Sequence, residues 1–382
     1  MNHIHPSPTM TSRERVRRAL TFQCPDRVPR DLWTLGTIPK WHKAELDAVL
    51  ARFPGDFEKA PISYGKSERA VALTGAGEAH TEPLDAVAIG AKDAHGDALA
   101  GCLVGRYTDE WGSEWEVLEP GICGEVTQPA LADWSRFDSY TPPDEVLDGL
   151  DISLSFERYE QTDKFVIAHS SVQPFQRLMF MRGFENVMLD LGYGSARLLD
   201  LLHMVHEFYV RELHLLAPVA ADAIMFRDDW GTQTNLLISP GHWRRIFKPL
   251  YAEYCRITHD AGKFVFYHSD GNISKIYPDL IEIGVDAINS QLFCMDIETL
   301  ATQHKGEITL WGEIDRQQVL AFGSPDDVRA AVRRVRRAFD DGRGGLIAQC
   351  EWGKDNPREN VEAVFETWLD QVGQRVPAPG PE

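Results

Sequence analysis

The chain has 382 residues, 43% of them apolar, enough to bury one large core. It carries 58 Asp plus Glu against 39 Lys plus Arg, a formal charge of −19 that disfavours nucleic acid or any other polyanion as a partner. Six scattered cysteines with no CxxC pair, and no apolar run near the roughly 20 residues of a membrane span, lead to the expectation of a reduced, cytoplasmic protein that stays off the membrane.

In chain order, residues 1–10 form a polar, Pro-containing head with little to bury, expected to be disordered. Residues 11–372 read as one domain, since no linker or repeat divides them. Within it, 60–139 is rich in Gly, Asp and Trp and shows little sustained period, so it is expected to be an insertion or lid. At its centre, Tyr107-Thr108-Asp109-Glu110-Trp111-Gly112-Ser113-Glu114-Trp115 has the pattern of a hairpin able to shape a pocket.

From there, short β-branched or aromatic runs alternate with longer amphipathic stretches, the pattern of a parallel sheet covered by helices. Strands are predicted at 164–169, 223–227, 263–268, 285–290, 308–311 and 345–349, hydrophobic on both faces as buried parallel strands are. Ser239-Pro240 and Ser324-Pro325 each put a capping hydroxyl before a proline at the first helical position. The first predicted helix, 241–261, shows one stripe of Trp243, Ile246, Phe247, Leu250, Tyr254 and Ile257, and Gly262 stops it. The Pro-rich tail, 373–382, is expected to be flexible.

An α/β chain of this alternation is expected to fold as a (β/α)8 TIM barrel, whose active site lies in the loops after the strands. That rule selects His169, Asp228, Asp229, His268, Asp270, Asn289, Gln291, Glu313, Cys350 and Glu351. His268, Asp270 and Cys350 offer imidazole, carboxylate and thiolate, all of which zinc accepts. By spacing alone the bland alternative, a capped strand end and a buried cysteine, is the more frequent one. Asp228 and Asp229 are read as catalytic, orienting substrate or moving a proton, and Glu313 as a further catalytic carboxylate or metal ligand. His169, Gln173, Trp230, Asn289, Gln291 and Glu351 are expected to line the substrate pocket. No dinucleotide fingerprint, phosphate loop or nucleophile elbow is present.

Several ordered stretches resemble the uroporphyrinogen decarboxylase-like superfamily. These are Pro25-Asp26-Arg27-Val28-Pro29 after the first helix, Asp228-Asp229-Trp230-Gly231, His268-Ser269-Asp270-Gly271-Asn272, Pro278-Asp279-Leu280-Ile281, and Asn356-Pro357-Arg358-Glu359-Asn360. The likeness runs from Met10 to about Asp370 and implies the barrel fold. The chain lacks the arginine-rich N-terminal signature of the true decarboxylases, reading Val28-Pro29-Arg30-Asp31-Leu32-Trp33 there. It is closer to the branch of zinc-dependent methyltransferases that exchange methyl groups with a corrinoid protein. In that branch an H-x-C pair and a later cysteine hold zinc, and the matching positions here are His268, Asp270 and Cys350, a carboxylate replacing the middle thiolate. The resemblance implies methyl transfer between a small O-, N- or S-methyl compound and a corrinoid protein partner, with zinc as Lewis acid, and pairing into a homodimer. The rival readings are a metal-independent decarboxylase or lyase, and a non-catalytic binding barrel.

Overall fold

The computed structural model describes residues 10–74, 104–119 and 124–369. Eight parallel strands form one sheet: β1 (Arg30–Thr34), β2 (Phe57–Lys59), β7 (Phe165–His169), β8 (Ala223–Arg227), β9 (Phe264–Ser269), β10 (Ala287–Ser290), β11 (Thr309–Gly312) and β12 (Leu346–Trp352). The order is β1-β12-β11-β10-β9-β8-β7-β2. The two edges, β1 and β2, are brought together where the Asp56 N–H donates to the Arg30 carbonyl at 2.9 Å, so the sheet is a nearly closed barrel. Each of the six predicted strands is present, from β7 to β12. Helices cover the outer face of the sheet and its own side chains fill the barrel's interior, so the strands need no polar face.

The predicted helix punctuation has a physical counterpart. Ser239 Oγ accepts from the His242 N–H, opening a helical run that passes through one π turn, Trp243–Phe247, before Lys248–Asp260. Trp243, Phe247, Tyr254 and Ile257 of the expected stripe are buried, with Ile246 and Leu250 half-buried against the core. Gly262 ends the run at φ +71°, a conformation that disfavours any side chain. Ser324 and Asp327 form a reciprocal capping box on Pro325–Phe339.

The amino-terminal end of the barrel is built for stability. Helix Ser12–Leu20 lies against it, with Val16 and Leu20 joining the barrel's inner core. Asp56, Asp222 and Asp286, each in the turn entering a strand, accept backbone amides from Arg30, Val166 and Val265 on neighbouring strands. Arg15 and Arg27 then pair with Asp56, and Arg13 and Arg17 with Asp222.

The inserted segment holds a separate antiparallel sheet of β3 (Val71–Thr74), β4 (Gly105–Thr108), β5 (Glu114–Val117) and β6 (Glu125–Gln128). The expected hairpin is its β4–β5 pair, with Thr108 opposite Glu114 and Gly112 at φ +84° in the turn. Its tip packs on helix Pro174–Arg182: Trp111 is fully buried under the Arg177 guanidinium, and Ser113 Oγ donates to the Phe180 carbonyl at 2.9 Å. Glu119, just past β5, pairs with Lys354 in the loop after β12, placing that part of the insertion at the carboxyl end of the barrel. Residues 75–103 and 120–123 of the predicted insertion, residues 1–9 of the head and the tail 373–382 lie outside the described residues, as do Cys102 and Cys123. Among the described residues, no helix is long and apolar enough to cross a membrane.

Candidate functional site

Side chains alternate along a strand, so the barrel's inner packing fixes which residues reach its mouth. Phe165 and Ile167 of β7, Ala223 and Met225 of β8, Phe266 of β9, Ala287 of β10, Trp311 of β11 and Ile347 of β12 form one inner cluster with Trp33 and Phe57. Advancing in steps of two from these reaches His169, Asp229, His268, Asp270, Asn289, Gln291, Glu313 and Glu351. The intervening residues belong to the outer layer between strands and helices.

His268 is the centre of the mouth. Its Nδ1 lies 2.6 Å from Asn289 Oδ1, while Asn289 Nδ2 donates to the Trp311 carbonyl at 2.8 Å. The second contact fixes which end of the amide is oxygen, so Nδ1 of His268 must donate and, in the neutral ring, Nε2 keeps a lone pair. That nitrogen stands 3.7 Å from both Asp229 Oδ1 and Asp270 Oδ1. Asp229 is held by the Asp270 N–H (2.9 Å) and by Gln176 Nε2 (2.7 Å). Asp270 Oδ2 accepts from Arg316 Nη2 at 2.6 Å, and its Oδ1 is buried without a hydrogen-bond partner. One ligand atom from each of Asp229, His268 and Asp270 falls within 4.8 Å of the others, a spacing that suits a metal ion.

Arg316 ties this cluster to two further acids. Its Nη1 donates to Glu351 Oε1 at 3.0 Å, and its Nε lies 3.2 Å from Glu313 Oε1 without making a hydrogen bond. Burial pushes the Glu313 carboxyl up to about 8. Below the cluster, Asp31 accepts both the Trp33 and Trp311 indole N–H groups at 2.9 Å, and burial raises its carboxyl to about 6. The Trp33 ring faces His268 at 5.5 Å between centroids.

The structure therefore joins His268 and Asp270 to Asp229, and sets Cys350 apart from them. Cys350 is fully buried in the outer layer with Leu346, Ala348 and Trp352, and burial raises its thiol well above the usual range, the opposite of what a thiolate ligand needs. Asp228 is likewise turned outward. Its carboxylate accepts the Phe175 and Gln176 amides, both at 2.8 Å, and the Tyr251 hydroxyl at 2.6 Å, capping helix Pro174–Arg182, while burial lifts it to about 7. Trp230, expected in the pocket, is fully buried, stacked 4.4 Å from Phe175 and donating to Tyr267 Oη. Gln173 is buried at the start of the same helix. His169 ends β7 half-buried, its carbonyl 3.5 Å from Tyr64 Oη. Gln291 Oε1 accepts the Gly271 N–H at 2.9 Å and so shapes the loop that carries Asp270.

Four residues of this site escape sequence reasoning, among them Gln176 on the helix after β7. Arg316 follows Glu313 by three residues, and only that spacing hinted at a pair. Asp31 and Trp33 sit in a strand of five residues whose apolar content is too low to stand out.

Eight parallel strands with an imidazole and several carboxylates gathered at their carboxyl ends define a (β/α)8-barrel protein with an acidic, metal-competent mouth. The uroporphyrinogen decarboxylase (URO-D) family model matches residues 111–369, and the chain belongs to that family. Its fold is similar to that of a methyltransferase from Methanosarcina mazei, at 17% identity and a TM-score of 0.63, covering 94% of this chain and 98% of that one. A xylanase of glycoside hydrolase family 10 from Gloeophyllum trabeum is more distant, at 8% identity and a TM-score of 0.42, covering 92% and 99%. No curated protein is similar enough in sequence to count as a match.

Proposed function

We propose that the protein is a zinc-dependent methyltransferase, moving a methyl group between a small O-, N- or S-methyl compound and a corrinoid carried by a partner protein. The observation that carries this reading is the Asp229, His268 and Asp270 cluster, in which Asn289 holds the His268 Nε2 lone pair toward two carboxylate oxygens. Membership of the URO-D family and the fold shared with a methyltransferase support it.

The donor set fits a divalent cation. The unpartnered Asp270 Oδ1 gains a partner on binding, and the two carboxylates balance two positive charges. When bound there, zinc supplies Lewis acidity toward the heteroatom that gives up or receives the methyl group. Two carboxylates in place of thiolates make the site harder, which favours oxygen or nitrogen over sulfur. The chain's own residues fix the rest of the geometry. Arg316 holds Asp270 through its second oxygen, Gln176 does the same for Asp229, and Trp33 closes one side of the imidazole.

Metal analysis by inductively coupled plasma mass spectrometry on tag-free protein tests the reading, together with methylcobalamin as a soluble methyl carrier. Near-stoichiometric zinc, lost in His268→Ala and Asp270→Ala, and zinc-dependent turnover of methylcobalamin are expected. Metal-free protein from chelator-free preparations would sink the methyl-transfer mechanism and leave the decarboxylase or lyase reading.

A further inference from the structure

Beside the His268 cluster lies a small cleft lined by Gln291, Phe293, Cys294, Glu313, Asp315 and Arg316, together with Leu292 and Gln317. Glu313 is its unusual wall. The residue is 3% exposed, yet neither carboxyl oxygen receives a hydrogen bond from any described residue. A buried carboxyl without donors is costly, and natural structures tolerate one chiefly where a ligand completes it.

The surroundings say what kind of ligand. Among the described residues Arg316 is the one cation lining the cleft, and its two Nη groups are committed to Asp270 and Glu351. Its Nε edge approaches Glu313 Oε1 at 3.2 Å but is not aligned for a hydrogen bond. A second acid, Asp315, lines the same cleft, so with Glu313 ionised two carboxylates face one guanidinium that is already shared with Asp270 and Glu351. Two carboxyl oxygens without donors in that setting call for a cation with N–H groups. Phe293 and the half-buried Cys294 offer an apolar, polarisable surface to methyl groups on such a nitrogen. Arg316 links the cleft to the metal-competent cluster, since the same guanidinium touches Asp270 and Glu313.

We propose that this cleft is an amine subsite, in which the Glu313 carboxylate receives the N–H of a small methylated ammonium group. The inference deepens the methyltransferase reading by choosing N-methyl compounds, and rests on that reading only for what happens to the amine after it binds.

Calorimetric titration of the full-length protein as purified, with dimethylammonium chloride at pH 7 in phosphate, reads the affinity. 2-Propanol serves as the neutral analogue of similar shape. Saturable binding of dimethylammonium is expected, at least tenfold weaker in Glu313→Gln, with 2-propanol binding at least tenfold more weakly. Equal binding of 2-propanol, unchanged affinity in a folded Glu313→Gln, or no ammonium binding to zinc-loaded wild type would each overturn the amine subsite. Should Glu313→Gln not fold, the comparison of the two probes on wild type still decides. Zinc content measured on the same samples keeps the two proposals apart: amine binding to metal-free protein removes the methyltransferase reading and leaves the subsite, while zinc without amine binding does the reverse.

Discussion

Glu313→Gln is expected to stabilise the protein, and by an amount that depends on pH. The carboxyl is 3% exposed and raised from 4.5 to about 8, chiefly by desolvation. A folded value above the unfolded one means that the folded state holds its proton more tightly. The contribution of this group is therefore fully present below about pH 4.5 and is lost as pH rises toward 8. One pKa unit corresponds to about 1.4 kcal/mol, so wild type loses about 3 kcal/mol from this residue between pH 4.5 and 7, and about 5 kcal/mol by pH 9. Glutamine has nearly the same shape and does not titrate. Urea denaturation of both proteins in chelating buffer, from pH 5 to 9, yields the difference in unfolding free energy with titrations common to both cancelled. The difference should grow by about 1.4 kcal/mol per pH unit in favour of Glu313→Gln and flatten above pH 8. A pH-independent difference, or one that shrinks as pH rises, would refute the assignment of Glu313 as a buried acid without a hydrogen-bond donor.

Cys350→Ala should leave zinc content unchanged and cost about 1–2 kcal/mol through the small void it creates, as read by metal analysis and urea melts; loss of metal would restore the thiol as a ligand. Asn289→Ala removes the acceptor that orients His268 and should weaken zinc binding roughly 10- to 100-fold in chelator competition, with His268 itself untouched. Asp228→Ala strands two backbone amides and the Tyr251 hydroxyl, so a loss of about 2–4 kcal/mol in unfolding free energy is expected, with metal affinity intact in whatever folds. A stable Asp228→Ala protein that lacks metal would contradict the outward placement of that carboxylate.

The barrel was legible because its second half is regular. Runs such as Phe165-Val166-Ile167-Ala168 and Leu346-Ile347-Ala348 are short, apolar and separated by capped amphipathic helices, the pattern of buried parallel strands. β1 and β2 were harder to read, since five and three residues carry too little pattern, and β2 is followed by the inserted sheet. The same property that revealed the strands concealed the site. A strand buried on both faces is apolar at every position, so nothing in its sequence says which alternate residues face inward.

Cys350 and Glu351 are neighbours on β12, and one must face the helices when the other faces the mouth. The choice is set by Ile347, which packs in the inner cluster and turns Glu351 inward by an even step and Cys350 outward by an odd one. Asp228 and Asp229 divide in the same way, as do Trp230 in the core and Asp229 in the cluster. A single inward-facing anchor on each strand, here Met225 for Asp228, Asp229 and Trp230 and Ile347 for Cys350 and Glu351, therefore resolves ambiguities that composition and spacing leave open. Position 270, a cysteine in the methyltransferase branch that the sequence resembles and an aspartate here, then takes on a physical meaning. With Cys350 behind the sheet, the cluster among the described residues holds no thiol, and it presents an imidazole beside two carboxylates, one of them held by Arg316.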